Sequence, residues 1–229
     1  MGLIVEGIVH AFRLLLSGDP EVWEVTLLSL QISGAATLLS LAVGIPAGTA
    51  LALARFPGRG FVVSLVNTGM GLPPVVVGLF VTILLWRNGV LGVLELLYTP
   101  TAMVLAQLVI AAPIVTGLTM AAVQQIPERF RLQVLALGAS RAQMTWVLVK
   151  EARLPLLAAM MAGFGGVISE VGASMMVGGN LKGSTRVLTT ATVLETSKGN
   201  FDIAIALSVI LLAITFLVNW ALTAIQQRR

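Results

Sequence analysis

Apolar residues dominate five stretches of the chain, at 25–54, 61–86, 101–124, 155–177 and 203–225. Each is near or above the roughly 20 residues that a helix needs to cross hydrocarbon. The pattern therefore predicts five spanning helices. The first is longer than a bilayer requires, so it tilts or runs into the headgroups. The stretch at 3–16 is different, being too short to span comfortably. Glu6, His10, Arg13 and Ser17 recur at helical spacing on one side, and Ile4, Ile8, Ala11 and Leu15 on another. That division predicts a helix lying in the interface, with a sixth, tilted span as the alternative. The chain then divides into an N-terminal interfacial helix at 1–23 and one transmembrane domain at 24–226.

Small residues and breakers punctuate the spans. Pro46 falls in the first, Pro73 and Pro74 in the second, and Pro113 in the third. Gly44 and Gly48 form a GxxxG pair, and Ala162, Gly165 and Gly166 cluster in the fourth. Small faces let helices approach closely in lipid. Breaks inside a span are tolerated where they are buried in protein or line a cavity.

The loop at 126–154 is too polar to span and too apolar for a solvated linker. Pro127 suits the start of a helix, whose apolar side carries Phe130, Val134, Leu135 and Leu137. Gly138 supplies a helix-ending position. Ser140 caps a second helix running through Trp146 to Arg153. The expectation is a helix-turn-helix whose apolar residues need a partner surface. A hairpin resting on lipid is the other reading.

Composition narrows the class. Hydrophobic residues make up 57% and charged residues only 10%, far below the roughly 25% charged of soluble domains. The net charge of +4 would raise nucleic-acid binding in a soluble protein. Here the basic residues sit at the ends of apolar stretches, and the positive-inside rule already explains them. Placing Arg55 and Arg59 in the cytoplasm puts Arg129, Arg131, Arg141, Lys150, Arg153, Arg228 and Arg229 there too, nine in all. The opposite side holds five, Arg13, Arg87, Lys182, Arg186 and Lys198, together with six acids. The N-terminus is therefore expected outside and the C-terminus inside. No basic start, long apolar run or small-residue site marks a cleavable leader, so the first span is expected to direct insertion itself.

Several chemistries are excluded. The chain has no cysteine and one histidine, His10. No catalytic residue and no metal site is expected. The segment GGNLKGST at 178–185 imitates a phosphate-binding loop, but Ser184 stands where the lysine must be. Glu170 is the clear acid inside a span. Intramembrane carboxylates are costly and mark functional sites, yet one facing an anion pathway would repel the cargo. It is expected either to pair with Arg186 or cap backbone donors at a broken span end, or else to gate or couple.

The segment LALGASRAQMTWVLVKEARLP resembles the EAA loop of ABC-importer permeases. Gly138 matches the glycine of that pattern, Ala139 and Ser140 its continuation, and Leu154 and Pro155 its Leu-Pro. Leu132, Gln133 and Val134 stand in place of EAA, and the Leu-Pro arrives about one turn late. LPPVVVG and the run AGFGGVISEVGASMMVGGN resemble the molybdate, sulfate and tungstate permeases, and most of all those for tungstate.

The resemblance implies an all-α polytopic protein with the type I ABC importer permease fold, in the cell membrane of a prokaryote. It implies a second copy of the chain, ABC ATPase subunits carrying the ATP and Mg, and an extracytoplasmic substrate-binding protein, with no cofactor on this chain. Ala136, Leu137, Gly138, Ala139, Ser140 and Arg141 become candidates for ATPase coupling. Thr68, Gly71, Pro73, Pro74, Ser169, Glu170, Gly172 and Ser174 become candidates for an oxyanion pathway. Tungstate is the expected cargo, with molybdate or sulfate next. A channel or ion-coupled transporter is the rival of another class.

Overall fold

The structure is a computed structural model that describes residues 2–227; the side chains of residues 2–4 and 15 are outside that description. Arg228 and Arg229 of the charge count lie outside the described residues, and so do the side chains of Ile4 and Leu15 of the N-terminal stripe. The elements run α1 (Gly2–Ser17), α2 (Pro20–Leu53), α3 (Arg59–Met70), α4 (Pro74–Leu85), a 3-10 turn (Gly92–Leu94), α5 (Pro100–Gln124), α6 (Glu128–Ala136), α7 (Arg141–Glu151), α8 (Arg153–Ile168), α9 (Gly172–Gly178), α10 (Leu188–Ser197) and α11 (Phe201–Gln227). There is no strand among the described residues.

Three helices, α2, α5 and α11, are long and apolar enough to cross a membrane, and counting each of two bent pairs as one span makes five. The expected second span is α3 and α4, bent by 103°, and the expected fourth is α8 and α9, bent by 58°. Pro46 and Pro113, read as breakers, lie inside the unbroken helices α2 and α5. A proline costs one backbone hydrogen bond and a clash with the preceding turn, and tertiary packing holds both helices through that cost. Helix α2 begins before its apolar run because Asp19 accepts from the Glu21 and Val22 amides and Pro20 sits in the first turn. Helix α10, ten residues between the fourth and fifth spans, is an element that the pattern of apolar stretches did not mark.

The central seam joins α2 to α5. A Cβ at Gly44 would stand 2.7 Å from Val115 Cγ1, and one at Gly48 2.7 Å from Thr119 Cβ. The GxxxG pair is thus a packing surface, and van der Waals contact of this kind drives helix association in lipid. Helix α1 packs against α11, where Ala11 joins Val22, Leu188, Ala206 and Ile210 in one buried cluster.

The two ends of the bundle differ. Three ion pairs among the described residues, Lys182–Glu21 (2.6 Å), Arg186–Glu21 (3.5 Å) and Lys198–Glu195 (2.7 Å), and the contact of His10 with Asp202 (3.6 Å) all lie at the end away from the α6–α7 hairpin. At the hairpin end Arg59 Nε instead donates to the Leu51 carbonyl, 2.9 Å away, near the end of α2. The tryptophans Trp23, Trp86, Trp146 and Trp220 are all exposed and lie toward the two ends, as residues of the membrane–water interfaces do.

Candidate functional site

The two helix breaks meet. The chain leaves α3 through Gly71 and Leu72, whose amides donate to the carbonyls of Thr68 (3.1 Å) and Gly69 (3.3 Å). Pro73 is extended, with ψ 125°, and Pro74 opens α4. Proline suits a first helical position because its missing N–H has no partner there anyway. The second break falls between α8 and α9, at Ser169, Glu170 and Val171. Glycines close the gap between them. A Cβ at Gly78 would lie 2.7 Å from the Ala173 Cα, and one at Gly172 2.6 Å from Val75 Cγ2.

Glu170 organises the second break. Its Oε1 accepts from the Ala173 amide at 2.7 Å, and its Oε2 from the Ser174 amide at 2.9 Å and the Ser174 hydroxyl at 2.8 Å. Helix N-termini leave backbone donors without partners, and a carboxylate there forms short, charge-assisted bonds. The Glu170 carbonyl accepts from Thr189 Oγ1 at 3.0 Å, tying the break to α10. Gln107 on α5 directs Nε2 toward the Ser174 hydroxyl, 3.5 Å away. Of the structural alternatives for Glu170, capping is the one the geometry adopts. Arg186 turns to Glu21 instead. Gln107 and Thr189 were invisible to sequence reading, since only the fold brings α5 and α10 to the break.

The pathway candidates divide. Thr68, Gly71, Pro73, Pro74 and Ser169 are exposed on one chain, and Gly172 is half-buried. Glu170 and Ser174 are buried, at 5% and 1% exposure. The carboxylate is turned inward, onto the start of α9, and the exposed residues beside the breaks are small, hydroxylated or imino acids.

The second candidate region is the hairpin of α6 and α7. Gly138 has φ +86°, a left-handed conformation that favours glycine. Ser140 accepts from the Gln143 amide at 3.3 Å while the Gln143 side chain accepts from the Ser140 amide at 2.8 Å, a reciprocal cap. Ala136, Leu137, Gly138, Ser140 and Arg141 are exposed and Ala139 is half-buried. Leu137 is 88% exposed, so it leaves the apolar side assigned to it; α6 ends at Ala136 and Leu137 lies past its last helical residue. Helix α7 also ends earlier than expected, at Glu151, and Arg153 opens α8. A groove of about 630 Å³ on the hairpin is lined by Leu137, Ala139, Ala142, Trp146 and Val147 among others.

At the far end, Glu195 is held below the usual carboxylate range, first by the Asn200 amide and then by the Lys198 ammonium. No group of three His, Cys, Asp or Glu fit to hold a metal occurs among the described residues.

Comparison with known proteins gives a consistent picture. The family model described as "Binding-protein-dependent transport system inner membrane component" matches residues 44–229. A probable anion ABC transporter permease protein of Haloferax volcanii is 43% identical over 200 residues, 85% of this chain and 86% of that one. The tungstate uptake system permease protein TupB of Peptoclostridium acidaminophilum is 38% identical over 227 residues, 99% of this chain and 100% of that one. Among solved structures, an inward-facing MetNI methionine ABC transporter superposes with a TM-score of 0.74 at 22% identity, covering 91% of this chain and 94% of that chain.

Proposed function

The chain belongs to the family of binding-protein-dependent transport system inner membrane components, and from that premise we propose that it carries an oxyanion, specifically tungstate, into the cell with energy from ATP hydrolysed by a partner. Its fold is that of the type I ABC importer permeases. The observation that carries the anion reading is the placement of Glu170. An unpaired carboxylate on a low-dielectric path would repel a dianion strongly, but both oxygens of Glu170 are buried against the start of α9. What remains exposed beside the breaks is Thr68, Gly71, Pro73, Pro74 and Ser169. The likeness to a tungstate permease along the whole chain supports the choice of cargo.

Two copies of the chain place these exposed faces around a common path. The hairpin within 126–154 faces the cytoplasm and docks the ATPase through Leu137, Gly138, Ala139 and their neighbours. ATP and Mg are bound by that partner, and this chain is a non-catalytic permease domain over 24–226. The opposite end, with its ion-paired loops, faces outward to receive cargo from an extracytoplasmic binding protein. The N-terminus is outside and the C-terminus cytoplasmic, a reading supported by the excess of basic residues at the hairpin end.

Proteoliposomes holding this chain with its ATPase and binding protein test the reading. ATP-dependent accumulation of tungstate above molybdate and sulfate is expected. Accumulation without preference for tungstate overturns the cargo, and accumulation that needs no ATP overturns the class. A cysteine replacing Lys182 is expected to react with an impermeant reagent in intact cells. Reaction only after permeabilisation reverses the orientation.

A further inference from the structure

The roots of the hairpin are joined to the bundle in two unlike ways. On the α7 side the chain runs on almost without interruption: the Ala152 amide donates to the Leu148 carbonyl, and the Leu156 amide to Ala152, both at 2.9 Å. Leu148, Ala152 and Leu156 are buried, and Ala152 and Leu156 share a cluster with Ala122 and Val123 of α5. On the α6 side the link is the short turn through Gln125, Ile126 and Pro127. Proline offers no backbone donor, and no side chain caps the start of α6. Left to that turn alone, α6 would pivot on the end of α5.

Arg131 spans this joint. Its Nη2 donates to the Val123 carbonyl at 2.8 Å. That carbonyl lies in the last turn of α5, where it also accepts from the Ile126 amide at 3.3 Å and where the negative end of the helix dipole favours a cation. Arg129, Arg141 and Lys150 on the same hairpin are exposed, whereas Arg131 is half-buried. Its Nε is buried and has no acceptor among the described residues. The side chain is thus partly withdrawn from water where it reaches one backbone oxygen, which a residue serving only surface charge does not need.

We propose that Arg131 is a positioning residue for transport: its guanidinium braces α6 against the last turn of α5. A push on the hairpin tip then reaches α5 as well as α8, and the two helices move as a unit. Without the brace the α6 root is joined to α5 by the turn alone, and the push reaches α5 mainly by way of α7 and the cluster at the start of α8. The proposal rests on the reading of the hairpin as the ATPase dock.

The test uses the assembled complex in proteoliposomes and reads tungstate taken up per ATP hydrolysed. Arg131→Gln is expected to lower that ratio about tenfold, the scale of a lost charge-assisted hydrogen bond, while the ATPase co-purifies in normal amount. Arg131→Lys keeps a charged donor and is expected to restore most of the ratio. Arg59→Gln removes the like bond at the end of α2 and is expected to leave it unchanged. An unchanged ratio in Arg131→Gln overturns the brace. So does a loss of ATPase binding in that variant with uptake falling in proportion, because that is docking and not coupling. Failure of the unaltered chain to hold the ATPase overturns the docking reading itself, which no Arg131 variant is needed to see. Should Arg131→Gln not assemble, spin labels at positions 121 and 129 of the otherwise unaltered chain decide. Their separation is expected to stay within about 2 Å between nucleotide-free and ATP-trapped complexes, the range of packed helix shifts, and a larger change overturns the proposal.

Discussion

The break between α3 and α4 and the break between α8 and α9 lie side by side, yet they are made by different parts of the chain. The first is a backbone device. Pro73 and Pro74 remove two donors, and Gly71 and Leu72 close the turn on the carbonyls of Thr68 and Gly69. No side-chain cap is needed there, and the bend reaches 103°. The second is a side-chain device. No proline stands at Ser169, Glu170 or Val171, and the bend of 58° is held by one carboxylate accepting three hydrogen bonds. Steric exclusion cannot be switched off by a small chemical change, whereas a carboxylate cap can.

The sharpest way to break this contrast is Glu170→Ala. It leaves the Ala173 and Ser174 amides buried without a partner, and each such donor costs about 1–3 kcal/mol. A loss of about 3–5 kcal/mol is expected in the thermal or denaturant unfolding of the purified permease, with Glu170→Gln in between. Stability within error of the unaltered chain would show that the bend does not depend on the cap. Next comes the seam that both breaks share. Gly78→Ala forces a Cβ against the Ala173 backbone and is expected to cost about 2 kcal/mol by overpacking, read in the same assay.

Pro73→Ala is expected to do much less, under about 1 kcal/mol, because Pro74 and the turn bonds at Gly71 and Leu72 remain. Spin labels on α3 and α4 are expected to keep their separation; straightening of the pair would show that Pro73 alone sets the angle. The smallest effect belongs to Glu195, a carboxylate that caps nothing buried. Its affinity for protons is lowered in the fold, so its contribution is present above the ordinary carboxylate value of about 4.3 and is lost as pH falls through the lower folded value. Amide exchange at Asn200 and nearby residues is expected to quicken only below the ordinary carboxylate range, and Glu195→Gln is expected to abolish that change.

The same contrast explains what could be read in advance. Proline, glycine and apolar run length are local signals, so the spans, the Pro73 and Pro74 break and the hairpin with its Gly138 turn are legible in the sequence. They overstate what one proline does, as Pro46 and Pro113 show inside unbroken helices. Glu170 was visible as an anomaly, because a lone acid in an apolar run must find partners. Its secondary partners were not, since Gln107 and Thr189 come from elements that only the assembled bundle brings near. Leu137 was misplaced for a related reason: helical spacing assigns a face, but α6 ends one residue before it.

The seam between α2 and α5 also has a history in time. Helix α2 is made well before α5, with α3 and α4 in between. At synthesis rates of about 5–20 residues per second, it must wait in the bilayer for seconds before its partner emerges. It carries several hydroxyls that end up buried in the finished bundle, and exposed polar groups in lipid are costly. Ser29, Thr37 and Ser40 donate to the carbonyls of Val25, Ser33 and Ala36 in their own helix, each at 2.7 Å. These bonds need no neighbour. The newborn helix therefore enters the membrane with those groups already satisfied, and the glycine face stays open until the partner for which it is shaped has been translated.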